Sequence, residues 1–180
     1  TQGYSSAASD VYKRQVVNGS GDMKALATAT GLYKCGGLGL EALFMEWIVK
    51  SLAEDGTALI VIPDGILSNL ANKKLREYIL DRCTIEGIIS LPINTFFGTP
   101  KKTYILAIKK KYTDDLGNTQ KQVAPVFTYI CNSIGETLDV YRFDTEENHL
   151  EEAVNQYNLF KSTPDRSKFK AISYLSLIHI

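Results

Sequence analysis

Between residues 40 and 110 the apolar positions switch between a helical and an extended period, and that alternation sets out the elements. Leu40, Phe44, Trp47, Ile48 and Leu52 fall on one face at 3.6-residue spacing, with Glu41, Glu46, Lys50 and Ser51 elsewhere around the cylinder. This predicts a helix over Leu40–Leu52 with Trp47 in its buried stripe. Glu41 in the first turn and Lys50 in the last suit the helix dipole. After an Asp55-Gly56 turn, Ala58 to Ile62 is apolar at every position, as in a strand covered on both faces. Pro63-Asp64-Gly65 closes that strand. Ser68 then reads as the N-cap of a helix from Asn69 to Leu80, with Ala71, Leu75, Tyr78 and Ile79 inward and Arg76 and Glu77 near the boundary. A second strand follows at Ile85–Leu91, ended by Pro92, and a third at Thr103–Ile108. The segment between these two is too short for a helical crossover, so the third strand should pair antiparallel to the second. Strand, helix, strand is the repeating unit of an α/β sheet covered by helices.

The flanks are less regular. Val16 to Gly39 is rich in Gly, Ala, Thr and Ser and reads as loop with a short helix near Met23–Ala29. Beyond Lys111 come a polar turn at Thr113–Asn118, a strand at Pro125–Ile130, an irregular or extended piece over Gly135–Phe143, and a helix over Glu146–Phe160. That last helix should turn Leu150, Ala153, Val154 and Tyr157 to one side. Tyr129, Tyr141, Tyr157 and Phe160 are accounted for as packing in a small peripheral unit. Ser5–Gln15 and Leu175–Ile180 resemble translated adapter or linker sequence and are set aside from the fold.

Composition narrows the chemistry more by exclusion than by assignment. The 20 basic and 20 acidic residues of the 180 leave zero formal charge, so any contact with nucleic acid must be a local patch. Lys101, Lys102, Lys109, Lys110 and Lys111 are one such patch, or simply a solvated strand end. Cys35, Cys83 and Cys131 form no C-x-x-C pair, which favours a reducing compartment over a zinc or disulfide framework. With no apolar run of membrane-spanning length, a soluble, cytoplasmic protein is expected. His149 and His179 do not make a metal site, and neither H-E-x-x-H nor G-x-S-x-G occurs. Asn18-Gly19-Ser20-Gly21 lacks the spacing of a phosphate loop. Asp64 stands just past a buried strand, where open α/β sheets place ligands, although Asp-Gly is also a good turn. The loop Ile93–Lys102 is unusually aromatic and polar. Adjacent Phe96 and Phe97 between Pro92 and Gly98 suit the stacking of a planar base, and the competing reading, preferred for Phe97, is a ring folded back as a core plug.

Taken in order, Gly39-Leu40-Glu41-Ala42-Leu43-Phe44, Asp55 to Leu67, Leu75-Arg76, Ile88 to Pro92, Asn94 to Thr99 and Thr103 to Lys110 resemble the second half of the catalytic domain of N6-adenine DNA methyltransferases, specifically the modification subunit of type I restriction systems. The resemblance implies a fold class: α/β, the second half of a Rossmann-like class I S-adenosylmethionine-dependent methyltransferase sheet with a terminal antiparallel strand. With the adapter-like ends set aside, the chain divides into 1–15 (linker-like), 16–111 (by this resemblance, the C-terminal half of the catalytic domain), 112–173 (peripheral α+β extension) and 174–180 (tail). The resemblance also implies S-adenosylmethionine as methyl donor, double-stranded DNA as substrate, and a specificity subunit as partner, with or without a restriction subunit. Matching the family's aromatic loop before the last strand points to Phe96 as the residue that stacks an extruded adenine, with Phe97 and Asn94 adjacent. Glu41 and Phe44 match the helix after the catalytic loop, and Pro63, Asp64 and Gly65 match the turn after the fifth strand, so Glu41, Pro63 and Asp64 would support the pocket. The family's glycine-rich donor motif and its Asn-Pro-Pro-aromatic catalytic loop have no counterpart here. No catalytic or donor-binding residue is therefore assigned, and the chain alone is expected to be inactive. A non-enzymatic interaction domain built on the same fold, and an RNA or protein methyltransferase, stand as alternatives.

Overall fold

The computed structural model describes residues 20–37, 39–97 and 99–166. The linker-like ends, Asn18, Gly19, His179 and Gly98 lie outside the described residues. The elements are α1 (Ser20–Ala29), α2 (Gly39–Ser51), β1 (Thr57–Pro63), α3 (Asp64–Ser68), a 3-10 turn (Leu70–Asn72), α4 (Lys73–Arg82), β2 (Cys83–Ser90), β3 (Thr103–Lys110), β4 (Phe127–Ile130), β5 (Ile134–Glu136), β6 (Asp144–Asn148) and α5 (His149–Ser162).

A four-stranded mixed sheet runs in the order β1-β3-β2-β4, beside a two-stranded β5-β6 ribbon. The third strand is antiparallel to the second, as its short connection requires, and it also inserts between β2 and β1. Because β3 opposes both neighbours, β1 and β2 point the same way, and β4 joins β2 in parallel. The fold is α/β with a mixed sheet.

Alternation along β3 sorts the two cores onto opposite faces of the sheet. Tyr104, Leu106 and Ile108 pack with Ile62, Ile66, Leu75 and Ile79 beneath α2 and α4, joined by Ala42, Met45 and Val49. Ile105 and Ile89 turn the other way, toward Phe127, Tyr129, Ala153 and Phe160 beneath α5.

Several expected faces shift. In α2 the buried stripe is Leu40, Ala42, Met45, Glu46 and Val49, while Phe44 and Trp47 are exposed, Trp47 by 52%. The helix is apolar most of the way round, so its period alone could not choose which stripe the sheet would take. The expected helix from Asn69 splits. Ser68 ends α3 and donates its hydroxyl to Asp64, Asn69 caps the 3-10 turn by accepting from Ala71 N at 2.9 Å, and α4 starts only at Lys73. Ala71 is consequently exposed. In α5 Ala153 and Phe160 are buried and Val154 is not, and the first residues of the expected helix form β6 instead.

Strand β1 is covered on one face only. Ala58, Ile60 and Ile62 join the first core, whereas Leu59 and Val61 are 69% and 50% exposed. The Asp64 amide donates to the Lys102 carbonyl at 3.0 Å and the Lys110 amide to that of Gly56 at 2.8 Å. An antiparallel ladder repeats every second residue. The amides of Ala58, Ile60 and Ile62 therefore face β3, and those of Thr57, Leu59 and Val61 face the side on which no described strand pairs with β1.

Candidate functional site

The parallel strands β1, β2 and β4 finish at the same end of the sheet, at Pro63, Ser90 and Ile130, where β3 begins. The segments that follow them gather there, and this is the end at which open α/β sheets hold ligands. All six residues singled out from the sequence lie at this end, divided between two clefts.

The first cleft, about 550 Å³, is lined by Glu41, Pro63, Asp64, Asn72, Lys101 and Lys102. Asp64 braces it: one carboxylate oxygen accepts from the Tyr104 hydroxyl at 3.1 Å and the other from Ser68 Oγ at 2.7 Å. Burial, and then this bond, raise the Tyr104 pKa. Asn72 is buried and donates to the Gly65 carbonyl at 2.6 Å, while Arg76 closes α3 and the turn after it by donating to the carbonyls of Ile66 and Asn69. Gly37 sits so close that a Cβ there would meet Ala42 Cβ at 2.6 Å and Asn72 Oδ1 at 2.7 Å, and its φ is +86°. Only glycine meets both demands.

Glu46 is the residue here that sequence reasoning misplaced. Expected at the surface, it is buried, and its carboxylate accepts from the amides of Lys34 at 2.8 Å and Cys35 at 3.0 Å and from Lys50 Nζ at 2.8 Å. It ties the segment before α2 onto the helix. Burial pushes its carboxyl up, and the bonds from Lys50, Lys34 and Cys35 outweigh that and lower it. Neighbouring Cys35 is pushed up to about 12, by burial first and Glu46 second. The i, i+4 Glu46–Lys50 pair was the available signal.

The second cleft, about 320 Å³, has Asn94, Phe96 and Phe97 on one wall and Asp139, Val140 and Arg142 on the other. Phe97 is not a core plug: it is 75% exposed and Phe96 41%. The hairpin tip is too tight to turn the Phe97 ring inward, with the Thr99 amide donating back to the Phe96 carbonyl at 3.2 Å and Thr95 Oγ1 to the Pro92 carbonyl at 2.7 Å. Asn94 takes φ +64°, a region asparagine tolerates better than most side chains.

The lysines do not form one patch. Lys101 and Lys102 stand at this end, and Lys109, Lys110 and Lys111 at the opposite end of β3. There Lys109 pairs with Asp55 at 3.0 Å, and the ammonium groups of Lys110 and Lys111 donate to the carbonyls of Val49 and Leu80. An eight-residue strand between them places the groups roughly 25 Å apart. Among the described residues, no cluster of three or more His, Cys, Asp or Glu is poised to hold a metal ion, and no helix is long and apolar enough to cross a membrane.

Residues 40–175 match the sequence profile of N-6 DNA methylases. The chain belongs to the N-6 DNA methylase family. It is 31% identical over 68 residues to the methylase subunit of the type I restriction enzyme EcoKI of Escherichia coli K12, a match covering 37% of this chain and 13% of that one. The StySJI methylase subunit of Salmonella typhimurium matches over the same shares at 31% identity. The chain thus spans only about an eighth of the length of the curated relatives that it matches. A crystal structure of a modification subunit of a type I restriction enzyme from Vibrio vulnificus YJ016 shares the fold, with a TM-score of 0.51 and 20% identity over 69% of this chain and 26% of that one. The kinship to type I methylase subunits is therefore by homology over part of the chain.

A donor such as S-adenosylmethionine needs a cradle for its adenosine and amino-acid ends. Among the described residues, the turn after β1 does not supply one. The turn after β1 leads into a five-residue helix, and both oxygens of its one carboxylate are already engaged by Ser68 and Tyr104.

Proposed function

We propose that the chain is the base-facing, C-terminal part of the catalytic domain of a type I modification subunit. Its parent transfers a methyl group from S-adenosylmethionine to the N6 amino group of adenine in double-stranded DNA. The target base must leave the stack for its amino nitrogen to reach the donor. Phe96 stacks the extruded adenine, Phe97 and Asn94 help to position it, and Pro63, Asp64 and Glu41 support the neighbouring turn. Donor binding and catalysis belong to residues that this chain lacks, so it is inactive alone. A specificity subunit selects the DNA sequence, with or without a restriction subunit beside it, and the assembly is cytoplasmic. Residues 16–111 form the catalytic part and 112–173 the peripheral extension.

What supports this most is the placement of the Phe96–Phe97 loop. It joins β2 to the antiparallel β3 at the end where the parallel strands β1, β2 and β4 all finish, and both rings are presented to solvent. Among the described residues no strand covers the outer edge of β1, and such an edge favours a catalytic part over a self-contained interaction domain, which would have covered or blunted it.

The test is to extend the reading frame upstream, express the parent with its specificity subunit, and measure N6-methyladenine in DNA by nucleoside mass spectrometry. Methylation of adenine, reduced about a hundredfold or more by Phe96→Ala, is expected, since loss of base positioning acts on the reacting geometry. An upstream frame without Asn-Pro-Pro-aromatic, or a Phe96→Ala parent with unchanged methylation, would overturn the proposal.

A further inference from the structure

We infer that the turn from Thr137 to Phe143 is the second wall of the Phe96–Phe97 cleft, and that Arg142 binds a backbone phosphate of the DNA strand carrying the extruded base. The inference deepens, and rests on, the base-stacking reading of Phe96 and Phe97. From sequence this turn had no task beyond peripheral packing. The structure brings it to the site because β4 runs parallel to β2 and so delivers the following residues to the same end of the sheet.

The turn is held firmly. Asp139 Oδ1 accepts from the amides of Tyr141 at 2.9 Å and Arg142 at 3.1 Å and from Thr137 Oγ1 at 3.1 Å, and the Thr137 amide donates to the Phe143 carbonyl at 2.7 Å. Arg142 sits at φ +54°, uncommon for an arginine. From that position its Nη2 donates to the Asn94 carbonyl, fastening the aromatic loop to the turn. Its Nη1 is buried and has no acceptor. Among the described residues no carboxylate pairs with Arg142 within 4.0 Å, and the acid lining the cleft, Asp139, has one oxygen occupied by the three donors of its own turn.

The Arg142 guanidinium, with Nη2 on Asn94 and Nη1 unpaired but shielded from solvent, lines a cleft of about 320 Å³ walled by Phe96 and Phe97. A turn of the side chain toward the cleft would set the two halves of nucleotide chemistry side by side. Aromatic faces take bases, and a guanidinium fork takes phosphate oxygens. Exposed Tyr141 and Phe143, which flank Arg142 in the chain, lie stacked on each other at 5.9 Å between centroids. A nucleic-acid strand is favoured over a protein partner because it supplies both the planar groups and the anion at a regular spacing.

The test titrates the 180-residue chain with a short single-stranded oligonucleotide carrying 2-aminopurine, following its fluorescence over a series of salt concentrations. Stacking should quench the signal. Arg142→Gln should weaken binding about tenfold and lower the slope of log affinity against log salt by about 0.7, the share of one single-strand phosphate. Arg142→Lys should keep the slope, because the charge remains, yet bind several-fold more weakly, because the fork is lost. Thermal melts of each variant separate folding from binding, and if Arg142→Gln does not fold, undiminished affinity in Arg142→Lys overturns the inference. A full salt slope in folded Arg142→Gln also overturns it while leaving base stacking intact. A reduced slope, read from the anisotropy of an end-labelled oligonucleotide, with no 2-aminopurine quenching in the parent chain and no effect of Phe96→Ala, sustains the phosphate contact and overturns the stacking on which the pairing rests. Binding only to an acidic, aromatic-rich peptide, with none to the oligonucleotide, overturns both.

Discussion

The two edges of the sheet are finished to different degrees. The β4 edge is short, and its inward rings Phe127 and Tyr129 are buried under α5, with Phe127 meeting Tyr157 at 5.5 Å and Phe160 at 5.6 Å. Gly87 makes room for this closure, since a Cβ there would stand 3.3 Å from the Tyr157 ring. The β1 edge is seven residues long, apolar on both faces, and among the described residues has a neighbour on one side only. Strands bury both faces when they lie inside a sheet, and natural edges are shortened, charged or covered. The composition of β1 is thus that of an interior strand, and its surroundings are those of an edge.

The largest effect should separate the two faces of this first strand pair. Ile108→Ala removes a fully buried side chain and should cost about 2–5 kcal/mol in urea unfolding, whereas Leu59→Ala on the bare face should stay within about 0.5 kcal/mol. Equal costs would mean that the outer face of β1 is covered after all.

Next is the buried anchor. Glu46→Gln leaves its amide donors poorly matched and should cost about 1–3 kcal/mol at neutral pH. Because the folded-state pKa of Glu46 is lowered, its contribution is complete above the ordinary glutamate range and is lost as pH falls through the folded value. The gap between parent and variant should therefore narrow in acid. A gap independent of pH down to unfolding would show that Glu46 acts by packing alone.

The finished edge offers a smaller effect of opposite pH sense. The Tyr157 hydroxyl donates to Glu86 at 3.1 Å and is pushed up to about 12, by burial first and then by Glu86. Tyr157→Phe should cost about 1 kcal/mol near neutral pH. Since the folded pKa lies above the unfolded value of about 10, that difference should be complete below about pH 10 and fade as pH rises toward the folded value. The smallest effect on stability should come from Leu59→Lys with Val61→Lys. The pair should leave the melting temperature nearly unchanged while reducing self-association in light scattering.

The strand–helix–strand order and the antiparallel β3 were legible from the sequence because the apolar runs are short, β-branched and separated by Asp-Gly and Pro breaks. What was not legible depended on neighbours. Trp47 and Met45 are both credible core residues on a helix apolar nearly all round, and only the position of the sheet chooses Met45. Glu46 looks like a surface charge until the amides of Lys34 and Cys35 are brought to it. At the site, Phe96, Phe97 and Asn94 stood out as an aromatic loop between Pro and Gly breaks. Arg142, more than 40 residues further on, had no local signal, because its approach depends on the parallel pairing of β4 with β2.

The most direct test of β1 as an interior strand left at an edge is amide hydrogen exchange of the dilute, monomeric chain, followed residue by residue. Ala58, Ile60 and Ile62, whose amides face β3, should be strongly protected, and Thr57, Leu59 and Val61 should exchange nearly as fast as unpaired amides. In a longer protein that includes the upstream sequence, the second set should become protected as well. Protection of Thr57, Leu59 and Val61 equal to that of their neighbours in the isolated chain would contradict an unpaired β1 edge.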